Sequence, residues 1–266
     1  MIRGSGRKRT NICACKKKTT KKAKFLFEQT DTKTGNMKID REAFARGRLL
    51  ARPGKEAPWQ TVSAGLHALG LDHKRDGLIY IPPGYNPATP APLAVMLHGA
   101  GGDAQHGMSL ITHLADERNL IILAPISRRG SWDIISYNGF GPDIAFINQA
   151  LAETFNRYNI DAAKLAVGGF SDGASYALSV GLTNGDLFSH IIAFSPGFYY
   201  TVEMKGKPGI FISHGTFDDI LPIGSCSRRI VPRLQKQGYN IIYDEFDGTH
   251  TIPGHISERA LKWFLE

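Results

Sequence analysis

From residue 76 onward, short apolar runs alternate with longer stretches in which apolar positions recur every three or four residues. The runs are GLIYI (77–81), PLAVMLHG (92–99), LIILAP (120–125), KLAVGGF (164–170), HIIAFSP (190–196), GIFISHG (209–215) and NIIYDEF (240–246). Short and nearly free of internal charge, they predict strands covered on both faces. Between two of them, PDIAFINQALAETFNRY places Ile144, Ile147, Leu151, Phe155 and Tyr158 on one face of a helix. The same reasoning predicts helices over about 105–118, 171–184, 224–237 and 255–265. Strand and helix in alternation predict an α/β fold: a mostly parallel central sheet with helices on both faces.

No repeat and no linker interrupts this pattern, so one domain is expected over residues 41–266. The first 24 residues differ: they carry ten Lys and Arg and no acid, with few large apolar side chains. Residues 1–40 are therefore expected to be a disordered basic extension. Contact of that tail with nucleic acid or an anionic membrane is the sharper reading of its charge; an unselective polycation is the plainer one. Without the tail, the chain's formal charge of +8 falls to a body of 22 basic and 24 acidic residues, which gives no reason to expect a nucleic-acid protein.

Three cysteines, Cys13, Cys15 and Cys226, supply neither a disulfide framework nor a four-ligand zinc site. Neither the tail nor FARGRLLARPG (44–54) holds the roughly 7–15 apolar residues of a secretory signal. No run approaches the roughly 18 needed to cross a bilayer, so a cytoplasmic location is expected.

In an open α/β sheet, ligands bind beyond the carboxyl ends of the strands. Four such ends carry candidate chemistry: HGAGG (98–102), GFSDG (169–173), HGTFDD (214–219) and GTHTIP (248–253). HGAGGDA also reads as half of a dinucleotide fingerprint, but the next strand ends in LAP, with no acid to hold a ribose. The alternative is a tight turn that aims backbone N–H groups, Ala100 foremost, at a developing oxyanion.

Ser171 lies between Gly169 and Gly173 where a strand should turn sharply into a helix. That makes it either a nucleophile on a strained elbow, with the Asp172 N–H as second oxyanion donor, or simply a helix-capping serine. Asp218 and Asp219 are candidates for the acid that orients a histidine, and His250 and His255 are candidates for the base. His98 and His214, each followed by glycine, are expected to support loops rather than to bind metal. The four signals follow one another as oxyanion loop, Ser, Asp, His, which is the chain order of a Ser-Asp-His hydrolase.

With those motifs in place, LHGAGG, GFSDGAS, HGTFDDILP and GTHTIP resemble the carboxylesterase/phospholipase branch of the α/β-hydrolase superfamily, near its dienelactone-hydrolase-like and polyhydroxybutyrate-depolymerase-like groups. The likeness covers about residues 76–266. It implies the α/β-hydrolase fold, with Asp218 as the acid and His250 as the base. It also implies an acyl-enzyme mechanism that needs no cofactor and no metal. One departure is Asp172, where many relatives carry a neutral residue.

Short connections between the later strands predict no large cap domain and an open site. Trp132 and Tyr137 in the irregular segment 127–141, and Phe198 and Tyr199 after HIIAFSP, are expected to line an acyl or aryl pocket. Arg128 and Arg129 are read as solvated, or as attracting an acidic substrate. The favoured function is a serine carboxylesterase for small or medium soluble esters. A polyester depolymerase, lysophospholipase or acyl-protein thioesterase shares the fold, and a non-catalytic binding protein on a hydrolase scaffold is the alternative of another class.

Overall fold

The computed structural model describes residues 41–54 and 63–266. The basic extension expected over residues 1–40 lies outside the described residues. The elements run α1 (Arg41–Ala45), β1 (Gly65–Ala68), β2 (Leu78–Ile81), β3 (Ala91–Leu97), α2 (Ala104–Ser109), β4 (Ile121–Ala124), α3 (Asp133–Ser136), α4 (Pro142–Arg157), β5 (Ile160–Phe170), α5 (Asp172–Thr183), β6 (His190–Phe194), β7 (Gly209–Gly215), α6 (Ser227–Lys236), β8 (Ile241–Phe246) and α7 (Gly254–Leu265). The strands make one sheet in the order β1-β2-β4-β3-β5-β6-β7-β8. β1, β2 and β4 pair antiparallel, and β4 through β8 pair parallel.

Alternation along the strands divides the core in two. Leu93, Val95 and Leu97 of β3 join Ile121, Leu165, Val167 and Ile212 beneath α4, α5 and α6. Ala94 and Met96 face the other way, with Ile122, Ile192 and Phe211, beneath α2 and α7. Both sheet faces are thus covered, which is why these strands read as near-continuous apolar runs. The predicted face of α4 is buried along its length from Ile144 to Phe155, and Tyr158 just past the helix joins it.

Three elements depart from expectation. The helix anticipated over 105–118 is only six residues long, followed by a 3-10 turn at Thr112–Leu114. Gly107 of α2 sits so close to β3 that a Cβ there would meet the Met96 carbonyl at 2.7 Å, and Ile111 leaves helical geometry (φ −141°) while fully buried. β1 carried no strand signal because it is an edge strand with a half-exposed face, Leu66 outward. The segment 44–54, for which no element was predicted, is tied to the core. Leu49 N–H donates to Asn184 Oδ1 (2.8 Å), the Leu50 and Ala51 N–H groups donate to Asn148 Oδ1 (2.7 and 2.8 Å), and Phe44 and Leu49 are buried.

No domain is inserted among the described residues after β5: the chain passes from β6 to β7 through residues 195–208 alone. No helix among the described residues is long and apolar enough to cross a membrane.

Candidate active site

The central strand β5 delivers Ser171 to the carboxyl edge of the sheet. Ser171 has φ 58° and ψ −119°, a left-handed conformation that costs a non-glycine residue on the order of 1–3 kcal/mol. It is held there because the Ser171 N–H donates to the Phe194 carbonyl (2.9 Å) and α5 begins at once behind it. The flanking glycines are steric necessities of this turn. A Cβ on Gly169 or Gly173 would meet the Leu97 carbonyl oxygen at 2.6 or 2.2 Å. Ser171 occupies the N-cap position of α5 but its side chain makes no capping bond. Its hydroxyl instead donates to His250 Nε2, 2.9 Å away.

His250 lies in the loop after β8, with its ring 4.6 Å from the Phe170 ring, centre to centre. Its Nδ1–H donates to Asp218 Oδ2 at 2.6 Å, so the network selects the tautomer that leaves Nε2 free to accept from Ser171. Asp218 is buried in the loop after β7, and its Oδ1 accepts from the Ile220 and Leu221 N–H groups (3.0 and 2.7 Å). Burial pushes the Asp218 carboxyl up, but the Leu221 N–H and the His250 ring outweigh it and hold the group below the usual carboxylate range. Asp219 is exposed beside it, and His255 is exposed on α7.

A second histidine braces the acid. His214, fully buried at the end of β7, approaches Asp218 Oδ2 at 3.2 Å, donates from Nε2 to the Leu221 carbonyl (2.7 Å) and accepts at Nδ1 from Ser227 (2.7 Å). Burial lowers its pKa, against the opposing pull of the Leu221 carbonyl and Asp218, so it serves as a neutral strut. His98 is a similar strut beneath the turn after β3: its Nδ1–H donates to the Gly99 carbonyl (2.7 Å) and its Nε2 accepts from the Ser127 N–H (3.0 Å).

Ala100 sits on the turn after β3, closed by a Gly102 N–H to Gly99 carbonyl bond (3.1 Å) with Gly101 at φ 67°. Gly99 lies against Ser171, since a Cβ there would be 3.5 Å from Ser171 Cβ. Asp172 is the first residue of α5. Neither the Ala100 nor the Asp172 N–H has a hydrogen-bond partner among the described residues, and the positive end of α5 lies at Ser171. No group of three or more His, Cys, Asp or Glu able to hold a metal ion occurs among the described residues.

The expected pocket aromatics divide. Tyr137 (44% exposed) and Phe198 (40%) stand open, and the loop around Asp218 adds Phe217 and Ile220, more exposed still and absent from the expectation. Tyr199 is half-buried, packs against the core and carries Arg233 over its ring. Trp132 corrects the reading of the sequence: it lines no rim but is fully buried, stacked on Tyr176 and tilted against His98, with Nε1–H donating to the His98 carbonyl (2.8 Å). Buried tryptophan takes a partner for its N–H, and the strand-end carbonyl supplies one. Arg128 is a second correction: its guanidinium lies over the Phe146 ring and pairs with Asp72 (2.9 Å), so it is neither solvated nor open to substrate.

An eight-stranded, mostly parallel sheet with helices on both faces and a strained serine at the end of its central strand defines an α/β-hydrolase. Comparison with known proteins agrees. Residues 69–218 match the Esterase family model, and the chain belongs to that family, whose class is the carboxylic ester hydrolases. A curated relative, the bifunctional acetylxylan esterase/xylanase XynS20E of Neocallimastix patriciarum, is 29% identical over 156 residues. The match takes in 55% of this chain and 22% of the relative's length. Among solved structures, S-formylglutathione hydrolase (FrmB) from Staphylococcus aureus aligns with TM-score 0.60 and 16% identity over 78% of this chain and 100% of its own. Acetyl xylan esterase from Aspergillus awamori aligns with TM-score 0.58 and 17% identity, over 76% of this chain and 99% of its own. At such identities these structures speak to the fold.

Proposed function

We propose that the protein is a serine carboxylesterase that hydrolyses small or medium soluble esters through an acyl-enzyme on Ser171. The observation that carries this reading is the His250 ring spanning Ser171 Oγ (2.9 Å) and Asp218 Oδ2 (2.6 Å). In the first half-reaction His250 Nε2 takes the Ser171 proton as Oγ attacks the ester carbonyl, and the Ala100 and Asp172 N–H groups receive the oxyanion. Collapse of the tetrahedral intermediate expels the alcohol, protonated by His250. In the second half-reaction the same imidazole deprotonates water, which attacks the acyl carbonyl and releases the acid and free Ser171. Asp218 holds the tautomer and faces the imidazolium without taking its proton.

Exposed Phe217, Ile220, Phe198 and Tyr137 offer apolar surface on which an acyl or alcohol group could rest. An acetyl ester on a carbohydrate is the narrower reading, favoured by the likeness to a relative named for acetylxylan esterase. Depolymerase, lysophospholipase and acyl-protein thioesterase readings call for longer acyl groups or larger partners.

The test is turnover on p-nitrophenyl esters of increasing chain length and on acetylated xylan, with Ser171→Ala alongside. The expected result is activity highest on short acyl chains and a kcat lower by on the order of 10⁵-fold in the variant. No turnover on any ester would overturn the reading in favour of a binding protein, and turnover that survives the substitution would overturn Ser171 as the nucleophile.

A further inference from the structure

Three consecutive residues of the loop between β4 and α3 each hold a different part of the oxyanion frame. The Gly130 carbonyl accepts from the Gly101 N–H (2.7 Å), next to Ala100. The Ser131 hydroxyl donates to Asp172 Oδ2 (2.5 Å), and the Trp132 Nε1–H donates to the His98 carbonyl (2.8 Å), at the root of the same turn. The two candidate donors come from different elements, the turn after β3 and the start of α5, and this tripeptide bonds to both.

The middle contact has a particular consequence. Asp172 supplies an oxyanion donor through its backbone N–H while carrying a carboxylate on the same residue. A carboxylate free to turn toward the developing oxyanion opposes it, most strongly in a site that excludes water. The Ser131 hydroxyl gives that carboxylate a charge-assisted partner on the loop side and fixes where it points. We propose that Gly130-Ser131-Trp132 is the positioning element of the oxyanion hole, and that Ser131 is the positioning residue that holds the Asp172 carboxylate away from the reacting oxygen. Ser131 touches no substrate atom in this account and acts through Asp172 alone.

The inference rests on the esterase reading, and a double-mutant cycle separates the two. kcat and KM for p-nitrophenyl acetate are measured for wild type, Ser131→Ala, Ser131→Thr, Asp172→Asn and Ser131→Ala/Asp172→Asn, with Tm recorded for each. Outright loss of an oxyanion donor costs 10²–10³ in kcat, so release of the neighbouring carboxylate is expected to cost about tenfold, with KM changed less than about twofold. Ser131→Thr, which keeps the hydroxyl, should restore most of that loss. In the Asp172→Asn background, where no charge remains to be turned away, Ser131→Ala should cost less than about twofold. An equal loss in both backgrounds, a change in KM alone, or no loss in an active wild type would overturn the positioning role while leaving the esterase reading intact. A wild type without turnover would overturn both.

Discussion

The protein holds two buried carboxyl sites and treats them in opposite ways. Asp218, in the loop after β7, meets two histidine rings and two backbone N–H groups, and its carboxyl is held below its ordinary range. Asp133 and Asp143 lie under the loop that carries Ser131 and have each other for company. Asp133 Oδ2 accepts from the Gly141 and Asp143 N–H groups and the Tyr176 hydroxyl, and Asp143 accepts from the Arg128 and Asp133 N–H groups. Burial, and then the Asp133 charge, push Asp143 up to about 8; burial also raises Asp133. Burial works in the same direction at both sites. At the acid pair burial is the larger cause and the Asp133 charge adds to it at Asp143, so a proton is kept there; at Asp218 the Leu221 N–H and the His250 ring outweigh burial, so a charge is kept.

The sharpest way to break this comparison is at Asp218. Asp218→Asn removes the charge that faces the imidazolium and permits the wrong tautomer, so kcat on p-nitrophenyl acetate should fall by about 10⁴-fold. Asp219→Asn, one residue away and exposed, should change it less than about threefold. Equal losses in the two variants would contradict the separation.

A smaller effect is expected in stability at the acid pair. A carboxyl with a folded-state pKa raised to about 8 binds a proton that the unfolded chain has already lost from about pH 4 upward. Its contribution is therefore fully present below pH 4 and is lost as pH rises toward about 8. Tm should fall between pH 5 and pH 9 in the wild type and fall less in Asp143→Asn, the two curves differing by about 5 °C at the upper end. Parallel Tm curves would show that no proton is held there.

The smallest effect is at Asp186, a half-exposed acid on the far end of α5. The Arg48 guanidinium lowers its pKa to about 2, and Arg52 pairs with it as well. Its depressed pKa gives stability present above pH 4 and lost as pH falls through about 2, the reverse of Asp143. Asp186→Asn should cost no more than about 1 kcal/mol at pH 7 by urea unfolding, since solvent screens the pair. A cost of several kcal/mol would place the segment 44–54 among the main supports of the fold.

The strands were legible because burial on both faces leaves only apolar residues, and the elbow was legible because Gly169 and Gly173 must clear the Leu97 carbonyl. Choosing Asp218 over Asp219 needed family likeness, since nothing in the dipeptide shows which carboxylate turns inward. The rest depended on partners far along the chain. Trp132 sits in a polar stretch yet is buried because a carbonyl 34 residues away takes its N–H. Arg128 sits between a serine and an arginine yet lies on Phe146, and Ser131 meets Asp172 across 41 residues. Edge strand β1 has too little burial to leave a periodic trace.

The central claim is that Ser171 carries the acyl group. Rapid acid quenching of the protein during turnover of p-nitrophenyl acetate, followed by intact-mass and peptide analysis, tests it most directly. The account predicts a gain of one acetyl group, located on Ser171 and accumulating in His250→Ala only far more slowly. An acetyl group on another residue, or turnover with Ser171 unmodified in every quenched sample and undiminished in Ser171→Ala, would contradict it.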